Sequence, residues 1–254
     1  MATFNSEPAR TAKRAAATAV FLILSAVILL AGQTDWKTSA EFARAEFQRA
    51  QTQFQSDAKN PTNAWQFARA AFDLAEFSTN DLQRADLARQ GIAAARALVA
   101  REPKLAAGHY YLAMNLGQLA RTEFLGALRL VREMEREFLT AAALDARLDH
   151  AGPERSLSLL YGEAPGWPVS IGNQHKARPF AEQAVQLAPE YPENQLNLIE
   201  GYLRWAEPDA AKKQLSALET IWPAARTNFA GAKWAHRWDD WSLRRAAARK
   251  QLGP

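Results

Sequence analysis

Cysteine is absent from the chain. That excludes disulfides, thiolate metal sites, a cysteine nucleophile and a lipidated N-terminal cysteine, and leaves packing to supply the stability. Histidine is scarce, and His109, His150, His175 and His236 stand singly. None forms the H-x-x-x-H or H-E-x-x-H pair that puts two metal ligands on one helical face. No G-x-S-x-G elbow surrounds Ser158 or Ser170, and Gly166 to Gly172 lacks the G-K-S/T that completes a phosphate cradle. The sequence therefore predicts no catalytic residue, no metal, no cofactor and no enzyme. Charge of one sign is equally sparse. The net charge is +4, and Arg10, Lys13 and Arg14 all lie near the N-terminus, so no concentrated basic face remains and nucleic acid is not an expected partner.

Long apolar runs are lacking with one exception. Ala15 to Thr34 is uncharged, has the intensely apolar centre VFLILSAVILLA from Val20 to Ala31, and follows the basic cluster. This is either a signal anchor, with residues 1–14 cytoplasmic, or a cleaved secretory signal peptide. No good A-x-A cleavage site follows the centre, which favours the anchor. The expected location is the inner membrane, single-pass with the bulk of the chain in the periplasm, or the periplasm itself if the segment is removed.

The rest reads as helix throughout. Trp36, Ala40, Ala43, Phe47, Ala50 and Phe54 alternate in steps of four and three up to Asn60-Pro61, which predicts an amphipathic linker helix over 35–60, packed on the next element or continuing as a stalk. Thr62 or Asn63 is the expected cap of the following helix, and Ser78 to Asp81 the turn before its partner, which stops at Pro103. Ala107 to Ala120 opens a second pair, with a long partner from Phe124 to Leu148. A third pair begins at Pro153 and is broken at Pro165-Gly166-Trp167-Pro168. The signal that organises the chain comes next: Ala177, Ala181, Ala184 and Pro189 recur as Ala211, Leu215, Leu218 and Pro223 at an offset of 34 residues, each proline ending its helix. Counting back from Ala211 puts Leu198, Ile199 and Tyr202 in first-helix core positions. Trp234, Trp238 and Trp241 then close the chain within 226–254, either as a cap over the last hairpin or as an interfacial membrane helix.

This grammar resembles the tetratricopeptide-repeat (TPR) superfamily over roughly Thr62 to Pro223. The lengthened hairpins, with GHYYLAMNLG at 108–117 and APGWPVSIG at 164–172, look most like the TatT-like group, and the layout is also similar to the eukaryotic regulators of microtubule dynamics. The first resemblance implies a right-handed all-α solenoid of about four TPR-like hairpins over 61–225. It further implies a bacterial, extracytoplasmic accessory protein of tripartite (TRAP) transporters that carry small organic ligands. TatT-like proteins are lipidated at a cysteine; this chain has none, so its anchor differs.

The expected role is therefore that of a non-enzymatic scaffold or adaptor for a protein partner or transporter subunits. The alternative is a protein that binds an anionic or hydrophobic small molecule. In such solenoids first helices line the concave side, which exposes Gln66, Arg69 and Asp73, then Tyr110, Met114 and Asn115, then Asn197, Glu200 and Arg204. The candidate groove residues are Tyr110, Tyr111, Asn115, Asn197 and Glu200. Around the irregular loop, Trp167 and Lys176 are added, because the helix start beside Ser170, Asn173, His175 and Lys176 offers backbone N–H groups to an anion. In the competing reading of that loop, Trp167 and Ile171 plug a gap and Asn173 caps the helix. A pocket enclosed by Tyr110, Trp167 and Asn197 would favour a small ligand; an open groove would favour a peptide.

Overall fold

The computed structural model describes residues 33–123, 126–166 and 168–253. The apolar segment up to residue 32 and Trp167 lie outside the described residues. The described chain is helical, with a single isolated bridge between Gly166 and Gly172, and among these residues no helix is long and apolar enough to cross a membrane. Ten α-helices follow in order: α1 (Gln33–Ser56), α2 (Pro61–Glu76), α3 (Asp81–Arg101), α4 (Ala106–Ala120), α5 (Ala127–Leu144), α6 (Leu148–Glu163), α7 (Gln174–Leu187), α8 (Pro192–Arg204), α9 (Pro208–Asn228) and α10 (Ala235–Leu252), with a 3₁₀ turn at Ala232–Trp234 before the last.

Four hairpins, α2/α3, α4/α5, α6/α7 and α8/α9, stack in sequence. Small residues at the repeat positions allow the close approach: Ala177, Ala181 and Ala184 of α7 and Ala211 and Leu218 of α9 are buried, as are Leu112, Ala113, Leu116, Leu198 and Ile199 on the first helices. Two buried amides lock neighbouring repeats. Asn115 Nδ2 donates to the carbonyls of Ala68 and Tyr111, and Asn194 Nδ2 to those of His150, Ala184 and Ala188. The linker helix α1 lays Ala43, Phe47 and Ala50 on Phe67, Ala70 and Ala71 of α2, so it belongs to the packed body.

Several boundaries differ from the sequence expectation. The cap of α2 is Asn60, whose side chain accepts the N–H groups of Thr62 and Asn63, with Pro61 in the first turn; a proline there gives up an N–H that no helix would use. The long partner helix ends at Leu144, because Asp145 turns extended and its carboxylate accepts the Arg147 N–H. Pro223 does not end its helix. α9 runs on to Asn228 because Trp222, Ala225 and Phe229 are buried against the closing segment, and their packing outweighs the backbone bond that proline forfeits. α6 starts before Pro153, and its Asp149, His150 and Ala151 are all left-handed, with φ of 50°, 57° and 60°.

Finally, the ends of the solenoid meet. α1 touches both the 3₁₀ turn and α10, while α10 also packs on α8 and α9. Trp36 of α1 meets Phe77 edge-on at 5.9 Å, and Phe77 meets His236 of α10 at 5.1 Å.

Candidate functional site

Because α1 meets the closing segment, the concave side holds a partly open cavity of about 530 Å³, lined by α1, α2, α4, α5, α6, the start of α8 and the segment from Ala232 to Arg237. One part of the wall is apolar and aromatic, with Phe42, Trp65, Phe72, Phe77, Met114 and Met134. The other is charged: Arg69, Asp73, Asp149, Arg155, Glu193, Lys233 and Arg237 face the same space. A cavity of this size with an apolar body and a few convergent polar groups is the ordinary form of a small-molecule site.

The left-handed turn builds the charged wall. Each such residue costs about 1–2 kcal/mol, and the compensation is visible. Arg155 donates to the carbonyls of Asp149 and His150 and to Asn194 Oδ1, at 3.0–3.3 Å. The His150 ring stacks on Tyr191 at 4.6 Å. Gly152 lets Tyr110 come close, since a Cβ there would lie 2.5 Å from the phenol oxygen. The turn thereby holds the Asp149 carboxylate where it accepts the Tyr110 hydroxyl at 3.0 Å and an Arg155 N–H at 3.4 Å. Burial alone would raise the Asp149 carboxyl, but Arg155, Arg69 and Arg237 outweigh it and hold it below the usual range. Glu193 behaves alike: burial pushes it up, while Arg244, Arg237 and the Trp241 indole N–H pull it down to about 2. Asp73 is the contrary case. Its side chain keeps 43% of its surface open to the cavity, yet the enclosing walls hinder its solvation, so burial raises its carboxyl above the ordinary value against the pull of Arg69. His236 is pushed down to about 4 by burial and by Arg237.

The sequence-derived candidates separate. Tyr110 and Tyr111 border the cavity but are 0% and 3% exposed, packed into the core, so Tyr110 is not the exposed groove residue expected from the sequence. Tyr111 stacks on Trp65 with ring centroids 5.9 Å apart and lies 6.0 Å from the Arg69 guanidinium. Gln66, Arg69, Asp73 and Met114 also face it. Asn115 is fully buried and serves the repeat contact described above. Asn197 and Glu200 lie away from the cavity, both bonded to Arg244 of α10. Lys176 is exposed at the start of α7, its ammonium 5.2 Å from the Tyr161 ring, and its backbone N–H is taken by Asn173 Oδ1, so that donor is occupied by the cap. Sequence reasoning did not bring Asp149, Arg155, Lys233 or Arg237 to the site, because they reach the cavity only through the left-handed turn and the meeting of the chain ends. Asp149 and Arg155 flank the G-P pair at 152–153, a local breaker signal that could have directed attention to them.

Compared with known proteins, the chain matches no family profile and no curated protein. Among solved structures it is similar to TTC0263, a thermophilic TPR protein of Thermus thermophilus, with a TM-score of 0.61 at 19% identity over 86% of this chain and 98% of that one. Yeast Tom70 aligns with a TM-score of 0.44 at 14% identity, over 92% of this chain and 47% of that one. The architecture and the first of these likenesses agree: the chain has the tetratricopeptide-repeat fold, an all-α stack of helical hairpins.

Proposed function

We propose that this protein is a non-enzymatic ligand carrier or sensor that holds a small molecule between the concave face of its repeats and its own two ends. In this reading Ala15–Thr34 tethers it to the cytoplasmic membrane with the solenoid on the outer side, as the basic cluster and apolar run of the sequence suggest. One observation carries the reading. The contact of α1 with the 3₁₀ turn and α10 bridges the concave side that a TPR-like solenoid would offer to a peptide, and the space left there is a partly open cavity of small-molecule size. Native mass spectrometry of the full chain purified from membranes tests it. A retained small molecule, lost when Met114→Trp fills the cavity of a chain that still folds, is the expected result; a bare chain whose unfolding midpoint no metabolite fraction shifts counts against it.

A second reading, an adaptor for a protein partner such as transporter subunits, draws on a different surface. Arg89 and Arg129, with Arg96 held by Glu133 at 2.7 Å, rim a shallow depression of about 250 Å³ floored by Ile92, Leu116 and Leu130, an arrangement in which Arg89 and Arg129 could meet an acidic segment. Recovery of transporter subunits in a membrane pull-down, abolished by Arg89→Glu with Arg129→Glu, would support it; retention of the same subunits by that double variant would oppose it.

A further inference from the structure

The cationic side chains on and behind the cavity wall fall into two groups, and Arg49, paired with Glu46, and Arg121, paired with Glu76, belong to the engaged one. Arg155 and Arg244 are saturated. The first serves the left-handed turn and Asp149, and the second binds Glu193, Glu200, Asp240 and Asn197. Arg69, Lys233 and Arg237 are loosely paired by comparison. Among the described residues, Arg69 has Asp73 at 3.5 Å and the Tyr111 ring at 6.0 Å, Arg237 has Glu193 at 3.7 Å, and Lys233 has no carboxylate within ion-pair distance, only the Trp234 ring at 4.8 Å. Lys233 is exposed and the Arg69 and Arg237 side chains keep 29% and 36% of their surface accessible, so all three can receive a ligand from solvent. Here the neighbouring acceptors are taken: Asp149 by Tyr110 and Arg155, Glu193 by Arg244 and the Trp241 indole.

The three loosely paired cations come from distant parts of the chain, Arg69 from α2 and the other two from the closing segment, yet all line the same cavity and act on Asp73. Among the described residues, Asp73 is the one of their carboxylate neighbours that accepts no hydrogen bond from another side chain, whereas Asp149 and Glu193 do. A further donor lies at the same seam. Ser39 of α1 is 2% exposed, lines the cavity, and its hydroxyl has no partner. Beside these donors the wall turns apolar at Phe72, Phe77 and Trp234.

Resting on the ligand-binding reading above, we infer that the cavity takes an organic anion, its acid group received by Arg69, Lys233 and Arg237 and its apolar or aromatic body lying against Phe72, Phe77 and Trp65. Arginine forks suit the two oxygens of a carboxylate, and hydrogen bonds between two charged groups are the strong ones.

The test is calorimetric titration of the full chain in lipid nanodiscs, with empty nanodiscs as the blank. The probes are a series of aryl-alkyl carboxylates, the neutral amide of each, and phenylalanine as a zwitterion. At least one acid binds tenfold or more tightly than its amide and no more weakly than phenylalanine. Lys233→Gln and Arg237→Gln each cut that preference below threefold while leaving amide binding, helicity and unfolding midpoint unchanged. Equal binding of acid and amide overturns the anion assignment and leaves the cavity reading standing. Tighter binding of the zwitterion overturns it in favour of Asp73. If no probe binds, the anion assignment falls, and the cavity reading falls with it only when the purified chain also retains no small molecule.

Discussion

Glu193 shows how one side chain is made to depend on its setting. It sits at the first turn of α8 and accepts from Arg244 at 2.7 Å and from the Trp241 indole at 2.6 Å. Burial opposes its charge, but these partners and Arg237 win and lower it from 4.5 to about 2. A native value below the unfolded one stabilises the fold above pH 4.5, and that contribution is lost as pH falls from 4.5 towards 2. Glu193→Gln is expected to cost about 3 kcal/mol near neutrality, with the deficit shrinking over that window. Glu163 is the mirror image. It lines the cavity without an ion pair among the described residues, and burial raises it to about 7. Its ionised form disfavours the fold, so Glu163→Gln should raise stability above pH 7 and change nothing below 4.5. Urea titrations of both variants across pH give slopes of opposite sign; parallel slopes would show that these residues do not differ as described.

The helical elements divide by how they were encoded. Regular hairpins were legible because close packing demands small side chains at fixed offsets, and Ala177, Ala181, Ala184 and Ala211 supply them. The left-handed turn was not. Asp149, His150 and Ala151 carry no glycine to announce positive φ, and the conformation is maintained by Arg155, Asn194 and Tyr191, the last two some forty residues onward in the chain. Pro223 misled for a related reason, since burial of Trp222 and Phe229 decided where the helix ended. In the closing helix α10, Trp241 is fully buried and Trp238 nearly so, packed on Trp222, Phe229 and Tyr191. Trp241→Ala should therefore cost roughly 3–5 kcal/mol, and truncation after Ala225 should lose helical signal well beyond the residues removed. Circular dichroism on the truncated chain decides it: an intact fold that has lost liposome binding would make α10 a membrane element instead.

At the scale of the molecule, closure is what turns a groove into a cavity, and it depends on curvature accumulated over four hairpins, which no local pattern records. The position of Tyr110 and Tyr111 on a first helix was legible in the sequence, though not their burial; the place of Lys233 and Arg237 was not, because it is set by where the closing segment returns. The seam is small and aromatic, Trp36 on Phe77 and Phe77 on His236. Edge-to-face pairs of this kind are each worth about 0.5–1.5 kcal/mol, enough to bias an opening without committing the global fold. Phe77→Ala is expected to raise hydrogen exchange in α1 and in Ala232–Leu252 together, by roughly tenfold or more, while α4 and α5 keep their protection. Phe54→Ala is the control, because Phe54 stacks on Phe67 within α1 and α2 and away from the seam; it should loosen α1 alone. Coupled loosening at the seam with uncoupled loosening at the control places the cavity's gate where the ends meet. If Phe77→Ala frees only α1, the closing segment is held by the last hairpin alone, and the cavity opens by some other route.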